Sequence, residues 1–500
     1  MALNTKPERS LDVALREERA AALLEINDFQ RAELDCRHAL ANGADGRWRA
    51  ALARCLLARG ETRAAIAEAE AALNADAACA VSWRVLARAR SAEKQHALAI
   101  EAARRAQCCD SGSASRHVLL HVLAQAGRDD ELIAFAETEV DVAPRDPELW
   151  FSLGTSLSAR GRSEPAITAF RRSLELSPGR VDASCGLALA LLRLGHFSEG
   201  FRYYEHRQKN AGNCRRYAVP PWRGEALAGK HVMVWSEQGF GDTLQFVRFL
   251  PQFRQLTERT TLFVAPPLLR LLRSQPELGA IETQNPGFGA ADFQVLLMSL
   301  PHLLDLGADV AAQALPLFRP DPERVLRWQA RLPAGPKIAL AWQGNPQYAG
   351  EPWRSMPFSH YEPVLERFSG RVTFVSLQKH VGVEQLRRSP QAGRVLDLSD
   401  EIDRDGDAFL DSLAILSLVD VFLTTDSALA HLAGSANLRA WVLLSQVADW
   451  RWGVNGERWV WYPSLRLLRQ QVGGDWKGLI AHVAQELERL LATGRESTER

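Results

Sequence analysis

The chain has no excess of either charge. Its 60 lysines and arginines balance 60 aspartates and glutamates over 500 residues. A dedicated nucleic-acid or polyanion binder normally carries a strong basic excess, so the balance argues against that class. The seven cysteines also lack C-x-x-C spacing, and reduced cysteines are the simplest interpretation.

Long apolar runs are missing as well. No stretch approaches the roughly 18 apolar residues that a membrane helix needs, and residues 1–10 have no apolar segment of the kind found in a signal peptide. We therefore expect a cytoplasmic protein without a transmembrane segment. The length predicts two or three domains with large cores.

Residues 1–209 are predicted to form one helical array. From residue 11 onward this half is rich in Ala, Leu, Arg and Glu, with apolar residues at helical spacing. Turn-forming residues recur every 33 or 34 positions, and Gly or Asn suits such turns because both tolerate positive φ. These positions are Asn27, Gly60, Lys94, Gly127, Gly161 and Gly195, of which Lys94 fits least well.

The segment from Trp150 to Pro178 resembles the tetratricopeptide repeat position by position. The matching residues are Trp150, Leu153, Gly154, Leu157, Gly161, Ala166, Phe170 and Pro178. We expect five or six such repeats stacked as an α-solenoid, whose groove usually binds a protein partner. The alternative is that the array only supports the rest of the chain.

Residues 210–229 have the composition of a linker, with several glycines and prolines around Trp222. The chain then alternates strands and helices. We predict a first α/β lobe at 230–320 and a second at 336–495, separated by a proline-rich stretch.

The first lobe opens with a strand, a glycine-containing turn and a helix. The predicted strand is 231–236, the turn 237–242 and the helix 243–253. The turn lacks the Gly-Lys-Ser/Thr ending of a P-loop and is not a full G-x-G-x-x-G fingerprint. Gly239 and Gly241 would let the backbone approach a ligand, and Asp242 would lie at the edge of the crevice. Further strands are predicted at 261–265 and 293–298.

The second lobe has polar residues at its predicted strand ends. Its predicted strands are 337–342, 372–377, 395–398, 419–423 and 441–444. Polar groups at the carboxyl ends of parallel strands form the usual ligand crevice. The candidate ligand-binding residues there are Trp342, Gln343, Gly344, Asn345, Gln378 and Lys379. Lys379 could hold a phosphate, and a solvated surface lysine is the alternative.

The stretch from Thr424 to Gly434 is the strongest candidate for an anion site. A buried strand is followed by Thr, Thr, Asp and Ser and then by an apolar helix. Side chains there can cap the helix, and the helix start offers free N–H groups to a phosphate. Asp426 and His431 would lie beside that group. An ordinary capped helix with a structural histidine is the alternative.

The second half resembles glycosyltransferases of the GT-B architecture. It looks most like bacterial tetratricopeptide-repeat glycosyltransferases related to the lipopolysaccharide heptosyltransferases, and more distantly like the protein O-GlcNAc transferases. The matching stretches are 236–251, 341–346, 376–379, 426–434, 449–452 and 461–470. The expected fold class is therefore an α-solenoid followed by two Rossmann-like α/β lobes.

The resemblance implies roles for individual residues. Asp242 corresponds to the proposed catalytic base, Lys379 to a lysine on the donor phosphate, and Arg354 to an arginine near the donor or acceptor. The turn that cradles the nucleotide diphosphate maps to Asp426, Ser427, Ala430 and His431.

These residue types suit glycosyl transfer, which needs a base for the acceptor proton and positive groups for the leaving diphosphate. There is no Asp-x-Asp motif at the strand ends, so we expect no metal and no cofactor beyond the nucleotide-sugar donor. The resemblance implies inversion at the anomeric carbon. The acceptor would be a protein or a glycan.

The sequence also departs from the family. Ser236 replaces a usual glycine, and residues 348–353 replace a usual acidic stretch, which leaves the donor open. The alternative to an enzyme is a repeat scaffold with an inactive transferase-like region. An oxidoreductase is disfavoured because the dinucleotide fingerprint is incomplete. The six tryptophans between Trp441 and Trp476 are expected mainly to pack the second lobe.

Overall fold

The computed structural model describes residues 18–20, 22–42, 46–209, 219–284, 291–305, 316–347, 350–404 and 406–498. The chain divides into two compact units, Met1–Gly186 and Leu187–Arg500. This division lies 23 residues before the predicted end of the array at residue 209, inside the helix Val181–Arg193. The first part of the predicted linker, 210–218, lies outside the described residues.

The first unit consists of antiparallel helix pairs, as the repeat spacing predicts. After helical residues at 18–20 and 22–25, its helices are Phe29–Ala41, Gly46–Ala58, Thr62–Ala75, Ala80–Ala92, His96–Cys109, Ser113–Gln125, Asp129–Val142, Pro147–Ala159 and Ser163–Leu176. The next helices along the chain are Val181–Arg193, in which the division lies, and Phe197–Tyr204.

The predicted turns are confirmed at all six positions. Each of these residues has a positive φ: Asn27 (59°), Gly60 (80°), Lys94 (60°), Gly127 (64°), Gly161 (75°) and Gly195 (84°). Lys94 therefore adopts the same left-handed turn as the glycines. The geometry of the repeat sets this conformation, even where the residue type does not favour it.

Small residues permit the close helix packing. A Cβ at Gly154 would lie 2.8 Å from Cδ1 of Phe170, and one at Gly186 would lie 2.6 Å from its Cζ. Phe170 is buried between them. The signature residues that lie buried in its core are Leu153, Gly154, Leu157, Ala166 and Phe170.

The first α/β sheet has four parallel strands in the order β3-β2-β1-β4. They are β1 (Val232–Trp235), β2 (Thr260–Phe263), β3 (Ala280–Glu282) and β4 (Phe293–Leu296). The α-helices of this part are Phe240–Phe246, Leu250–Phe253, Leu269–Arg273 and Leu300–Leu303. The predicted helix 243–253 begins earlier, because Gly239 is its N-cap, and it is interrupted by a 3-10 turn at Val247–Phe249.

The second sheet has six parallel strands in the order β10-β9-β8-β5-β6-β7. They are β5 (Lys337–Leu340), β6 (Thr373–Ser376), β7 (Val395–Asp397), β8 (Val421–Thr425), β9 (Ala440–Leu444) and β10 (Leu465–Arg469). The α-helices are Pro322–Gln329, Glu351–Arg354, Glu362–Arg367, Val383–Arg387, Leu410–Leu416, Ala428–Ser435 and Trp476–Thr498. Further 3-10 helices are Glu205–Lys209, Pro266–Leu268, Pro276–Leu278, Leu297–Ser299, Phe358–Tyr361, Ala392–Arg394 and Trp450–Trp452.

The strand order creates one switch point in each sheet. β1 lies between β2 and β4, and β5 lies between β6 and β8. In open parallel sheets the ligand crevice lies at the carboxyl ends of the strands beside such a point. The glycine turn after β1 and the loops after β5 and β8 occupy these positions. The fold is therefore a helical repeat array followed by two parallel α/β sheets.

The last repeat helices belong to the core of the second unit. The ring of Phe201 lies 5.9 Å from Trp450 and 6.0 Å from Phe246. The tryptophans are mainly core residues, as expected. Those buried are Trp441, Trp450, Trp452, Trp461 and Trp476. Among the described residues no helix is both long and apolar enough to span a membrane.

Candidate functional site

Asp242 is fixed at the start of the helix Phe240–Phe246. Its Oδ2 atom accepts a hydrogen bond of 2.9 Å from the backbone N–H of Gly239, the N-cap residue. Gln238, just before the cap, has a φ of 60°. This hydrogen bond to the N-cap backbone holds the carboxylate at the carboxyl end of β1.

The turn before Asp242 is held by the end of the repeat array. Arg207 is buried and donates to both carboxylate oxygens of Glu237, at 2.6 and 3.1 Å. Gln238 donates to the hydroxyl of Tyr204 at 3.0 Å. A bidentate arginine–carboxylate pair gives a defined geometry, so the repeat helices position the catalytic candidate.

Asp242 also forms an ion pair with the second sheet. Its Oδ1 atom accepts from Arg451, whose other terminal nitrogen donates to Asp449 Oδ1 at 2.8 Å. The Arg451 guanidinium lies 4.6 Å from the ring centroid of Trp450. Burial would lower the pKa of Arg451, but the carboxylates of Asp449 and Asp242 raise it well above its ordinary value.

The turn after β8 differs in detail from its prediction. Thr424 and Thr425 are the last residues of the strand and are fully buried. Ser427 is the N-cap of the helix Ala428–Ser435 but forms no side-chain cap bond. Its hydroxyl lies 3.1 Å from that of Thr424 instead. The side chain of the N-cap residue therefore leaves the first N–H groups of this helix uncapped.

Asp426 lies buried in this turn. Burial, followed by the negative charge of Asp449, raises its pKa to about 6, although Arg354 and Arg451 act in the opposite direction. Near neutral pH both protonation states of Asp426 are accessible.

His431 lies one turn further along the helix and is buried. Its Nδ1 atom is 2.8 Å from the hydroxyl of Tyr462, and its ring stacks on Trp452 with centroids 5.0 Å apart. Burial, and then the charges of Arg451, Arg248 and Arg354, lower its pKa well below the ordinary value. His431 is therefore neutral and can donate or accept one hydrogen bond. Ala430 beside it is fully buried.

The helix starts of the two sheets meet at Gly241. A Cβ at this position would lie 2.9 Å from Cδ2 of His431 and 3.6 Å from Cα of Ala428. Only glycine allows this approach. A second contact closes the same face, because the Ser435 hydroxyl donates to the Leu244 carbonyl at 3.0 Å. The structure thus brings Gly239, Gly241 and Asp242 together with the turn after β8.

The loop after β5 is organised by Gln378. The side-chain oxygen of Gln378 accepts from the backbone N–H groups of Trp342 (2.9 Å) and Gln343 (3.1 Å). Its amide nitrogen donates to the carbonyls of Gln343 (2.9 Å) and Val381 (2.8 Å). Trp342 itself is fully buried against Phe358. In this structure, Gln378 and Trp342 shape the loop.

Arg354 lies against the same loop. A Cβ at Gly344 would lie 2.8 Å from Nη2 of Arg354, and the Gly344 N–H donates to Ser355 at 3.0 Å. The charge of Arg354 acts on both Asp426 and His431, so it belongs to the site. Asn345 is exposed and caps its own turn, accepting from the N–H of Gln347 at 3.0 Å. Residues 348 and 349 lie outside the described residues.

Lys379 is engaged with the backbone of another loop. Its ammonium donates to the backbone carbonyls of Ile402 (2.5 Å) and Asp403. Between the described residues no hydrogen bond or ion pair joins Lys379 to Asp426 or His431. It lies at the carboxyl end of β6, next to β5 in the sheet.

Two residues of the site were not assigned a role from the sequence, namely Arg451 and Asp449. They lie in Asp-Trp-Arg-Trp, where a charge pair alternates with two buried tryptophans. A charged residue between two large apolar residues is unusual, because buried charges need a partner, and this pattern could have identified both residues. The described residues contain no group of three or more metal-ligating side chains.

Comparison with known proteins supports the repeats. A family model described as tetratricopeptide repeat matches residues 147–180. The chain is 26% identical to Protein FlbA of Caulobacter vibrioides over 434 residues, or 74% of this chain and 72% of that protein. Over 74 residues it is 39% identical to the peroxisomal targeting signal receptor of Saccharomyces cerevisiae, covering 15% of this chain and 12% of the receptor.

Among solved structures, ADP-heptose lps heptosyltransferase II of E. coli resembles this chain with a TM-score of 0.39 and 14% identity. The match covers 53% of this chain and 99% of that one.

Proposed function

We propose that the protein is a glycosyltransferase that moves a sugar from a nucleotide-sugar donor to a protein or glycan acceptor. The observation that carries the proposal is the meeting of two carboxyl-end crevices. Asp242 follows β1 of one sheet, and Arg451, Asp449, Asp426 and His431 follow strands of the other. A carboxylate facing a helix start is the arrangement needed to activate an acceptor and to hold a leaving diphosphate.

The donor diphosphate would bind at the start of the helix Ala428–Ser435. N–H groups and the helix dipole favour an anion there, and the N-cap side chain does not occupy them. Arg354 lies close enough to add positive charge. Lys379 would join only by exchanging its two carbonyl partners for phosphate oxygens. The proposed leaving-group stabilisation rests on these groups and needs no metal.

Asp242 would act as the general base. Each of its oxygens accepts one hydrogen bond, from Gly239 or from Arg451. An ionised carboxylate has about four lone-pair sites, so capacity remains for an acceptor hydroxyl. Arg451 would keep the carboxylate in place between the two sheets, and neutral His431 would contact the donor by hydrogen bonding.

Donor binding is tested first, by thermal unfolding of the purified protein with a panel of nucleoside diphosphates and nucleotide sugars. A ligand at about 100 times its dissociation constant should stabilise the fold by roughly 2.7 kcal/mol. Stabilisation by one donor, lost in Asp426→Ala and Lys379→Ala and retained in Lys477→Ala, supports the proposed cradle. Lys477 is an exposed lysine of the second sheet's C-terminal helix.

A second candidate is a non-catalytic repeat scaffold. It is favoured by the engagement of Lys379 with backbone carbonyls and of Gln378 with four backbone groups. Failure of every nucleotide to stabilise the protein, with protein partners still bound, would favour this candidate.

A further inference from the structure

The first helices of successive repeats form one continuous surface. Gly46–Ala58 packs on Ala80–Ala92, which packs on Ser113–Gln125, which in turn packs on Pro147–Ala159. In a helical repeat array the first helices line the inner, concave face, and the direct contacts between them fit that arrangement. Side chains at equivalent positions of these helices therefore form rows that cross the face.

One of these rows is basic. Arg54, Arg88 and His121 each stand eight residues after the first residue of their helix, and they are 34 and 33 residues apart. All three are exposed, and the next member of the row is the exposed Thr155. We call Arg54, Arg88 and His121 the basic row.

Among the described residues, no carboxylate forms an ion pair with either arginine of this row. The contact of Arg54 is a long hydrogen bond of 3.4 Å to the Leu24 carbonyl, and among the described residues Arg88 takes part in no ion pair. The charge of Arg88 reaches His121, whose pKa is lowered by burial and then by Arg88, with Glu148 opposing. The lowered pKa leaves His121 less readily protonated than an ordinary histidine, so Arg54 and Arg88 carry the permanent charge of the basic row.

Other arginines of the array behave differently. Arg84, Arg90 and Arg116 form ion pairs with Asp110 (2.7 Å), Glu70 (2.8 Å) and Glu139 (2.7 Å). Such pairs bridge neighbouring helices and stabilise the stack. Arg54 and Arg88 form no such bridge to any described residue, so their positive charge stays available on the surface where a ligand would lie.

We propose that the basic row binds an extended, acidic segment of a protein partner. Packed helices lie about 8–10 Å apart, and an extended peptide rises about 3.3 Å per residue. Acidic side chains three residues apart would therefore meet Arg54 and Arg88 in turn, and the segment would then pass His121, which can donate a hydrogen bond to a carboxylate. The inference rests on the proposed function, since it gives the chemistry of the protein acceptor, but peptide binding can be measured without transfer.

The test uses the full chain and a fluorescein-labelled peptide with Glu at every third position, followed by anisotropy. The matched peptide carries Gln in place of Glu. The double variant Arg54→Glu/Arg88→Glu is compared with Arg63→Glu/Arg105→Glu, which reverses two exposed arginines on second helices. Circular dichroism melts establish that both variants are folded, and Arg88→Gln serves as a milder substitution.

The expected result is binding of the Glu peptide that weakens with salt, as charge-dependent binding does. It should weaken by about tenfold or more, or about 1.4 kcal/mol, in Arg54→Glu/Arg88→Glu and stay unchanged in the control variant. Equal losses in both variants, equal binding of the Gln peptide, or no binding at low salt would overturn the proposal. Donor stabilisation of the same variants separates this failure from failure of the transferase proposal.

Discussion

Arg451 is the residue through which the two sheets share one site. It binds Asp242 on one side and Asp449 on the other, and its guanidinium lies 4.6 Å from the ring centroid of Trp450. A partly buried arginine with two carboxylate partners has little freedom to move. The position of Asp242 relative to the donor cradle therefore depends on a residue of the opposite sheet.

Replacing Arg451 with Lys should lower kcat by about 100-fold, because a misplacement of about 1 Å can cost that much. Donor affinity should change little, since Arg451 contacts the base and not the helix start. Steady-state kinetics with the donor identified by thermal unfolding measure both. Arg458→Lys is the control, because Arg458 is exposed and bonds the Pro463 carbonyl. A raised KM at unchanged kcat would contradict this role.

The carboxylate of Asp426 is predicted to lower the free energy of unfolding when it is ionised. Its pKa is about 6 in the fold against an ordinary 3.8, so the folded state holds the proton more tightly and stability falls as pH rises from about 4 to about 6. Above pH 6 the ionised carboxylate lowers the free energy of unfolding by about 3 kcal/mol. Asp426→Asn should therefore be more stable than the wild type at pH 8, and this advantage should shrink at pH 5.

Urea unfolding at the two pH values measures this difference. The wild type and Asp426→Asn should converge as pH falls, while Asp400→Asn, at an exposed carboxylate, should show no comparable gain at pH 8. A variant that is destabilised equally at both pH values would contradict the interpretation.

At the scale of elements, the helix starts Phe240–Phe246 and Ala428–Ser435 are joined at a glycine. Gly241→Ala would place a Cβ 2.9 Å from Cδ2 of His431. Overpacking of this kind costs about 1–3 kcal/mol. The expected result is lower stability together with lost transfer, because the helix starts must separate.

Gly393→Ala is the matched control for this substitution, because a Cβ there meets nothing within 4 Å and its φ is not positive. Urea midpoints of the two variants give the comparison. Equal stability of Gly241→Ala and Gly393→Ala would show that the two helix starts do not need this close contact.

Much of the fold could be predicted from local sequence patterns. The repeat turns, including Lys94, follow from a fixed spacing, and the buried strands follow from apolar runs. β3 (Ala280–Glu282) and β10 (Leu465–Arg469) were missed, since one is very short and the other mixes arginine with leucine. Both lie at sheet edges, where the pattern is weakest.

The site could be predicted less completely. The sequence indicated that Asp242, Asp426 and His431 follow strands, and the structure places them around one crevice. It could not indicate that Arg451 bonds Asp242, since these residues are 209 positions apart, or that Lys379 bonds backbone carbonyls. Such contacts depend on how the two sheets pack against each other, and a short sequence pattern does not indicate this.

At the scale of the whole second unit, the last repeat helices complete the α/β core. Phe197, Phe201 and Tyr204 pack in the same cluster as Trp450 and Trp461. A chain beginning at residue 210 would lose these side chains, and it would leave the buried carboxylate of Glu237 without Arg207. Removal of one partner of a buried pair costs about 3–5 kcal/mol.

We therefore expect a chain of residues 210–500 to lose cooperative unfolding, and a chain of residues 181–500 to keep it. Calorimetry of the two truncated chains measures the difference. Equal melting temperatures would contradict the assignment of these helices to the core, and would place the boundary at residue 209 as the sequence predicts.

The most direct measurement of the central claim is release of nucleoside diphosphate from the bound donor, as its sugar passes to water or to an added protein or glycan acceptor, by the wild type and by Asp242→Asn. The account predicts that both proteins bind the donor equally, and that release by the variant is slower by about 100-fold or more, the contribution typical of a general base. Equal release by the two proteins, or donor binding without release by the wild type, would contradict the assignment of Asp242 as the base.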